Sequence, residues 1–92
     1  MSFLESVDRY TILLIKKLHK LDCDAEFKEL REEMKGVDSA LITQFLSINK
    51  KMWALEDQIS AEEDLTEVGR LYLELRKFTK ERAALKKDPK KY

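Results

Sequence analysis

Residues 39–87 read SALITQFLSINKKMWALEDQISAEEDLTEVGRLYLELRKFTKERAALKK, and this stretch decides the fold. Leu41, Phe45, Ile48, Met52, Leu55 and Ile59 follow one another at steps of three or four residues. That spacing lays one apolar stripe along a helix from about Ser39 to about Ala61. A second line, Ile42, Leu46, Asn49, Trp53 and Glu56, runs beside it. Glu62-Glu63-Asp64 is a short acidic link, and Asp64 with Glu67 has the spacing of a capping box. Val68, Leu71, Tyr72, Leu75, Phe78 and Leu85 then carry a further helix to about Lys87, where Asp88-Pro89 stops it. Two long helices joined by so few residues must pack antiparallel.

Upstream, Ser2 and Glu5 form another capping box. Leu4, Val7, Thr11, Leu14, Leu18 and Leu21 make the stripe of a first helix, widened by Ile12 and Ile15. Asp22 and Asp24 mark a break and a new N-cap. A short second helix presents Phe27, Leu30 and Met34 and ends at Gly36. Val37 ahead of Asp38, with Ile42 beyond, has the order of a hydrophobic staple at the start of the third helix. The expectation is an all-α protein in which a long helical hairpin, helices 3 and 4, packs with helix 1 and short helix 2 as a three- or four-helix bundle. Residues 1–92 form one domain in this reading, with 88–92 a frayed tail.

Composition agrees. Two Gly and one Pro in 92 residues leave too few turn residues for a β protein. Charged residues make up 39% and apolar ones 43%, a mixture suited to amphipathic helices and too apolar for a disordered chain. The 18 basic and 18 acidic side chains cancel in number but are segregated along the chain. Glu56 to Glu67 holds six acids and no base, while Arg76 to Tyr92 holds eight bases against Glu81 and Asp88. Solvated helix faces account for this pattern. A nucleic-acid surface is disfavoured by zero net charge and by the lack of interleaved aromatics. Cys23 is the single cysteine, which excludes an intrachain disulfide and fits a reducing, cytoplasmic setting. Glu5 stands where a signal peptide would carry base, and the longest apolar run, Ile12 to Ile15, is far too short to span a bilayer. A soluble protein is expected.

Three polar groups interrupt the apolar stripes. Asn49 and Glu56 flank Trp53 at helical spacing, and Arg82 lies between Phe78 and Leu85. With the bend near Asp64, Glu56 should lie level with residues 71 to 75, and Asn49 with 78 to 82, within reach of Arg82. One reading is a polar clamp that fixes helix register, with Glu56 or another acid answering a buried Arg82. The other is an anion or small-molecule pocket with Arg82 and Lys86 on the ligand and Trp53 as a wall. Asp8, Thr11 and Lys16 of the first helix fit either. His19 has no Cys or Ser partner at useful spacing and reads as a surface residue. Tyr10 and Tyr72 read as core or interface aromatics. No metal set and no cofactor are expected.

Two enzyme families come close enough to test. Leu30-Arg31-Glu32-Glu33-Met34 through Asp38 to Leu46 resembles the opening of the small helical chorismate mutases. Their dicarboxylate chemistry needs a second Arg where this chain has Ile48, and Gly36 interrupts what should be continuous helix. Glu26-x-x-Glu29 and Glu29-x-x-Glu32 resemble half of the magnesium site of the all-α nucleotide pyrophosphohydrolases. The E-x-x-D half occurs only at Glu5 to Asp8, upstream instead of downstream.

Three segments together resemble a family of small bacterial and phage helical proteins with no assigned activity. They are Asp8-Arg9-Tyr10-Thr11-Ile12-Leu13 with Lys16; Asn49-x-x-x-Trp53-x-x-Glu56-Asp57-x-Ile59; and Arg82-Ala83-Ala84-Leu85-Lys86. Members are often encoded near genes of surface-sugar metabolism. The resemblance places a shared polar pattern on Asp8, Thr11, Lys16, Asn49, Trp53, Glu56, Asp57, Arg82 and Lys86. The chain departs from it at Thr79-Lys80, where the family tends to have Asn-Asp, and at Ser60, where a base is usual. The function expected from all of this is a non-enzymatic assembly or adaptor protein that self-associates as a homodimer or higher oligomer. The alternative is a protein that binds a small anion or a sugar-phosphate-related ligand.

Overall fold

The structure is a computed structural model and describes residues 2–87. The expected stop at Asp88-Pro89 and the tail 88–92 lie outside the described residues. Four α-helices follow one another: α1 (Phe3–Leu18), α2 (Asp24–Glu33), α3 (Ser39–Ala61) and α4 (Leu65–Lys87). No strand occurs among the described residues, so the chain is all-α as its periodicity requires. Close contacts divide it into two compact units, and the division falls inside α3 between Ser47 and Ile48.

In the first unit, Ser2 caps α1 as its sequence predicts, its hydroxyl accepting from the Glu5 N–H at 3.2 Å. The helix ends earlier than the apolar spacing suggested. Lys20 turns left-handed at φ 61°. Leu21 N–H then reaches the Lys16 carbonyl at 2.9 Å and Lys20 N–H the Lys17 carbonyl at 3.0 Å. This is a Schellman closure with lysine in the position that glycine usually takes. Leu18 and Leu21 consequently stand exposed, although they continue the stripe on paper.

The residue that sequence periodicity overlooked is Leu13, which is fully buried in a cluster with Phe27 and Leu30 of α2. Tyr10, Leu14 and Cys23 pack around that cluster. Tyr10 and Phe27 stack with ring centres 5.5 Å apart, and Lys17 lays its ammonium 4.3 Å from the Phe27 centroid. Burying a leucine of this kind contributes about 1.5–3 kcal/mol. Arg9 adds a two-pronged tie to Glu26, Nε to Oε1 at 2.6 Å and Nη2 to Oε2 at 3.1 Å. Cys23, and not either neighbouring aspartate, occupies the N-cap of α2 and gives it no side-chain cap. Gly36 takes φ 84° just beyond α2, the left-handed stop expected of it. Asp38 then caps α3, accepting from the Ala40 N–H at 2.9 Å.

In the second unit, α4 returns beside the latter part of α3. Arg82 bonds to Asn49, and the Lys51 ammonium sits over the Phe78 ring. The partner number falls as the α3 number rises, which is the signature of an antiparallel hairpin. Asp64 begins α4 by accepting from the Thr66 N–H at 2.9 Å. Glu67 does not complete the expected capping box: the Asp64 N–H donates to Glu62 at 3.0 Å, and the Glu67 carboxylate pairs with Arg70 at 2.8 Å. Ile48, Met52 and Leu55 of α3 are buried, with Leu71 and Leu85 of α4. Tyr72, expected in the packed stripe of α4, is instead exposed.

Candidate functional site

The polar positions of the hairpin are built from helix register. Asn49 sits one turn before Trp53 on α3 and is buried, with 4% of its surface exposed. Antiparallel return brings Arg82 level with it, and the guanidinium Nη1 donates to Asn49 Oδ1 at 3.2 Å. Arg82 is half-buried, so its charge is partly hydrated. Its partner is a neutral amide, and among the described ion pairs none involves Arg82. Glu56, the carboxylate that sequence reasoning offered to it, is exposed on α3. Trp53 and Lys86 are half-buried, and both engage other groups of the fold. The arrangement is therefore a half-buried cation held across the hairpin by an amide, without the desolvation cost of a buried ion pair.

Asp8, Thr11 and Lys16 belong to the other unit and are taken separately. Asp8 and Thr11 are buried on α1, and the Thr11 hydroxyl donates to the Asp8 carbonyl at 2.7 Å. That bond is a local return of a hydroxyl to the preceding helical turn. Lys16 is half-buried. Among the described residues, every buried side-chain nitrogen or oxygen has a hydrogen-bond partner. His19 is exposed at the end of α1.

The carboxylates of α2 gather differently from a metal set. Glu26, Glu29 and Glu33 line a shallow hollow of about 330 Å³ with Ser6 and Leu30. Glu26 is held by Arg9, whose guanidinium lowers its pKa below the usual carboxylate range. A carboxylate so engaged is a poor ligand for magnesium, which needs free oxygen donors. Among the described residues no group of three or more His, Cys, Asp or Glu side chains is placed to hold a metal ion.

A larger hollow than that of α2 is lined by none of the candidate site residues read from the sequence. It measures about 680 Å³ and is lined by Arg70, Leu73, Glu74, Arg76, Lys77 and Lys80, all of α4. A second hollow of about 390 Å³ adjoins it at Tyr72, Leu75 and Thr79. Both are open troughs along one helix and not enclosed cavities. The signal for them was present as Leu73, which falls outside the buried stripe and has nowhere apolar to go. No helix among the described residues is long and apolar enough to cross a membrane. No family model matches the chain, and neither a curated protein nor a solved structure matches it.

Proposed function

We propose that this chain is a non-enzymatic helical assembly or adaptor protein of the cytoplasm that works through association with further copies of itself. The observation that carries this reading is the exposed apolar surface of α4, where Leu65, Tyr72 and Leu73 are 85%, 55% and 64% exposed. Scattered apolar residues such as Phe3 and Leu18 are ordinary on a protein surface. Three on one helix, two of them (Tyr72 and Leu73) lining open troughs, are the kind of patch that marks an interaction site. Sedimentation equilibrium at micromolar concentration tests the reading: a dimer or larger species is expected, and a stable monomer overturns it.

A second reading, binding of a small anion or sugar-phosphate-related ligand, is favoured by one observation. Arg82 is answered by a neutral amide, which leaves its positive charge available to an anion, with Lys86 and Trp53 on the same hairpin. Trp53 is the only tryptophan of the chain, so its fluorescence reports on this region. Titration with inorganic phosphate, phosphosugars and nucleotides should change the emission and raise the melting temperature. A flat response in both measurements removes this reading.

A further inference from the structure

One stripe of α4 combines three features. Leu65, Gly69, Leu73, Arg76, Lys80 and Ala83 recur every three or four residues, share one helix face and are all exposed. Tyr72 lies at its edge. The stripe is apolar and small in its first half and basic in its second, with no acid on it. Acids instead cluster just before its beginning, at the exposed link Glu62-Glu63-Asp64.

This polarity selects its own complement. Two such helices side by side and parallel would set basic half against basic half, which is repulsive. Antiparallel, each basic half lies on the other copy's apolar half. The aliphatic stems of Arg76 and Lys80 then cover Leu73 and Tyr72, and their charged heads reach past the edge to water or to acid. With the two-fold axis near Glu74 and Leu75, the partner's Lys87 falls level with Glu62. Gly69 helps the close approach, since nothing lies within 4 Å of the position its Cβ would take.

We propose that this stripe is the surface on which a second copy of the chain docks, α4 against α4 and antiparallel about a two-fold axis. The proposal rests on the self-association reading and specifies its surface and polarity. Such a contact is isologous: the same patch serves both copies and closes the assembly at two. The acidic link steers the basic end of the incoming helix and sets the direction of pairing more than it adds affinity.

Site-directed cross-linking of the full chain tests it. In a Cys23→Ser background, copies carrying Gly69→Cys are mixed with differently tagged copies carrying Ala83→Cys and treated with a short bis-maleimide. In the antiparallel pair, residue 69 lies within about one helical turn of the partner's residue 83, whereas the two residues 69 are about 16 Å apart along the axis. The mixed product is expected, with little Gly69→Cys self-product. In parallel, Leu73→Glu is expected to shift the sedimentation profile to monomer while leaving the helical circular dichroism intact, because Leu73 is exposed. A wild-type chain that sediments as a monomer overturns the self-association reading and this surface with it. A dimer that survives Leu73→Glu and gives no mixed product leaves self-association standing and overturns the α4 surface. Self-products at residue 69 in place of mixed ones overturn the antiparallel direction.

Discussion

Replacing Arg82 and Asn49 by alanine, singly and together, separates a hairpin clamp of low cost from a buried ion pair. A hydrogen bond to a charged group contributes about 1.5–3 kcal/mol when it is well shielded. The Arg82 bond is 3.2 Å long, at the weak end of its range, and Arg82 is only half-buried. Water takes over part of its role when it is removed, so the coupling between the two residues should be about 1 kcal/mol, and Arg82→Ala should cost about the same. Asn49→Ala should cost more, about 2–3 kcal/mol, because the amide is buried and engages groups besides Arg82. Urea denaturation of the four proteins gives the coupling directly as the departure from additivity. In a domain of this size, 1 kcal/mol corresponds to a fall in Tm of about 4–8 °C. Loss of more than about 3 kcal/mol in Arg82→Ala alone would refute the reasoning, because only a buried partner charge left unpaired costs so much. Strict additivity would show that the bond does not form in solution.

Leu13→Ala should destabilise the protein by about 2–5 kcal/mol, since the side chain is fully buried against Phe27 and Leu30; thermal or urea unfolding measures it. Lys20→Gly and Gly36→Ala should act in opposite directions by about 1 kcal/mol each in the same assays. The first relieves a lysine at φ 61°, and the second forces a Cβ into φ 84° where no neighbour crowds it, so strain is the only cost. Glu26 has its folded-state pKa lowered by Arg9, so its stabilising contribution is present above the unfolded-state pKa and disappears as pH falls through the folded one. Glu26→Gln should therefore flatten the acid limb of a stability-versus-pH profile and leave its shape above neutrality unchanged.

Periodicity marks the four helices, capping chemistry starts three of them, and the short link sets the direction of the hairpin. Leu41 to Ile59 and Val68 to Leu85 repeat at helical spacing, and Ser2, Asp38 and Asp64 are start signals whose side chains can satisfy free N–H groups wherever the helix packs. Antiparallel return also follows from the short link, and with it the level of Arg82 beside Asn49. Local chemistry is sufficient for these features because each involves residues within a turn of one another or a link of a few residues. Which apolar residues become core is a different question. Leu13 lies off the main stripe yet is sealed by α2, while Leu18, Leu21 and Tyr72 lie on their stripes yet are exposed. Burial depends on where a neighbouring element sits across the helix, and no spacing rule contains that. The same holds for charge. Glu56 looked the natural partner for Arg82, but the hairpin register gives that bond to an amide, and Glu67 pairs with Arg70 one turn on while Glu62 takes the Asp64 N–H. Pairing is settled by the geometry of whole helices, because an ion pair or hydrogen bond needs contact within a few ångströms and sequence fixes only which face a residue shares.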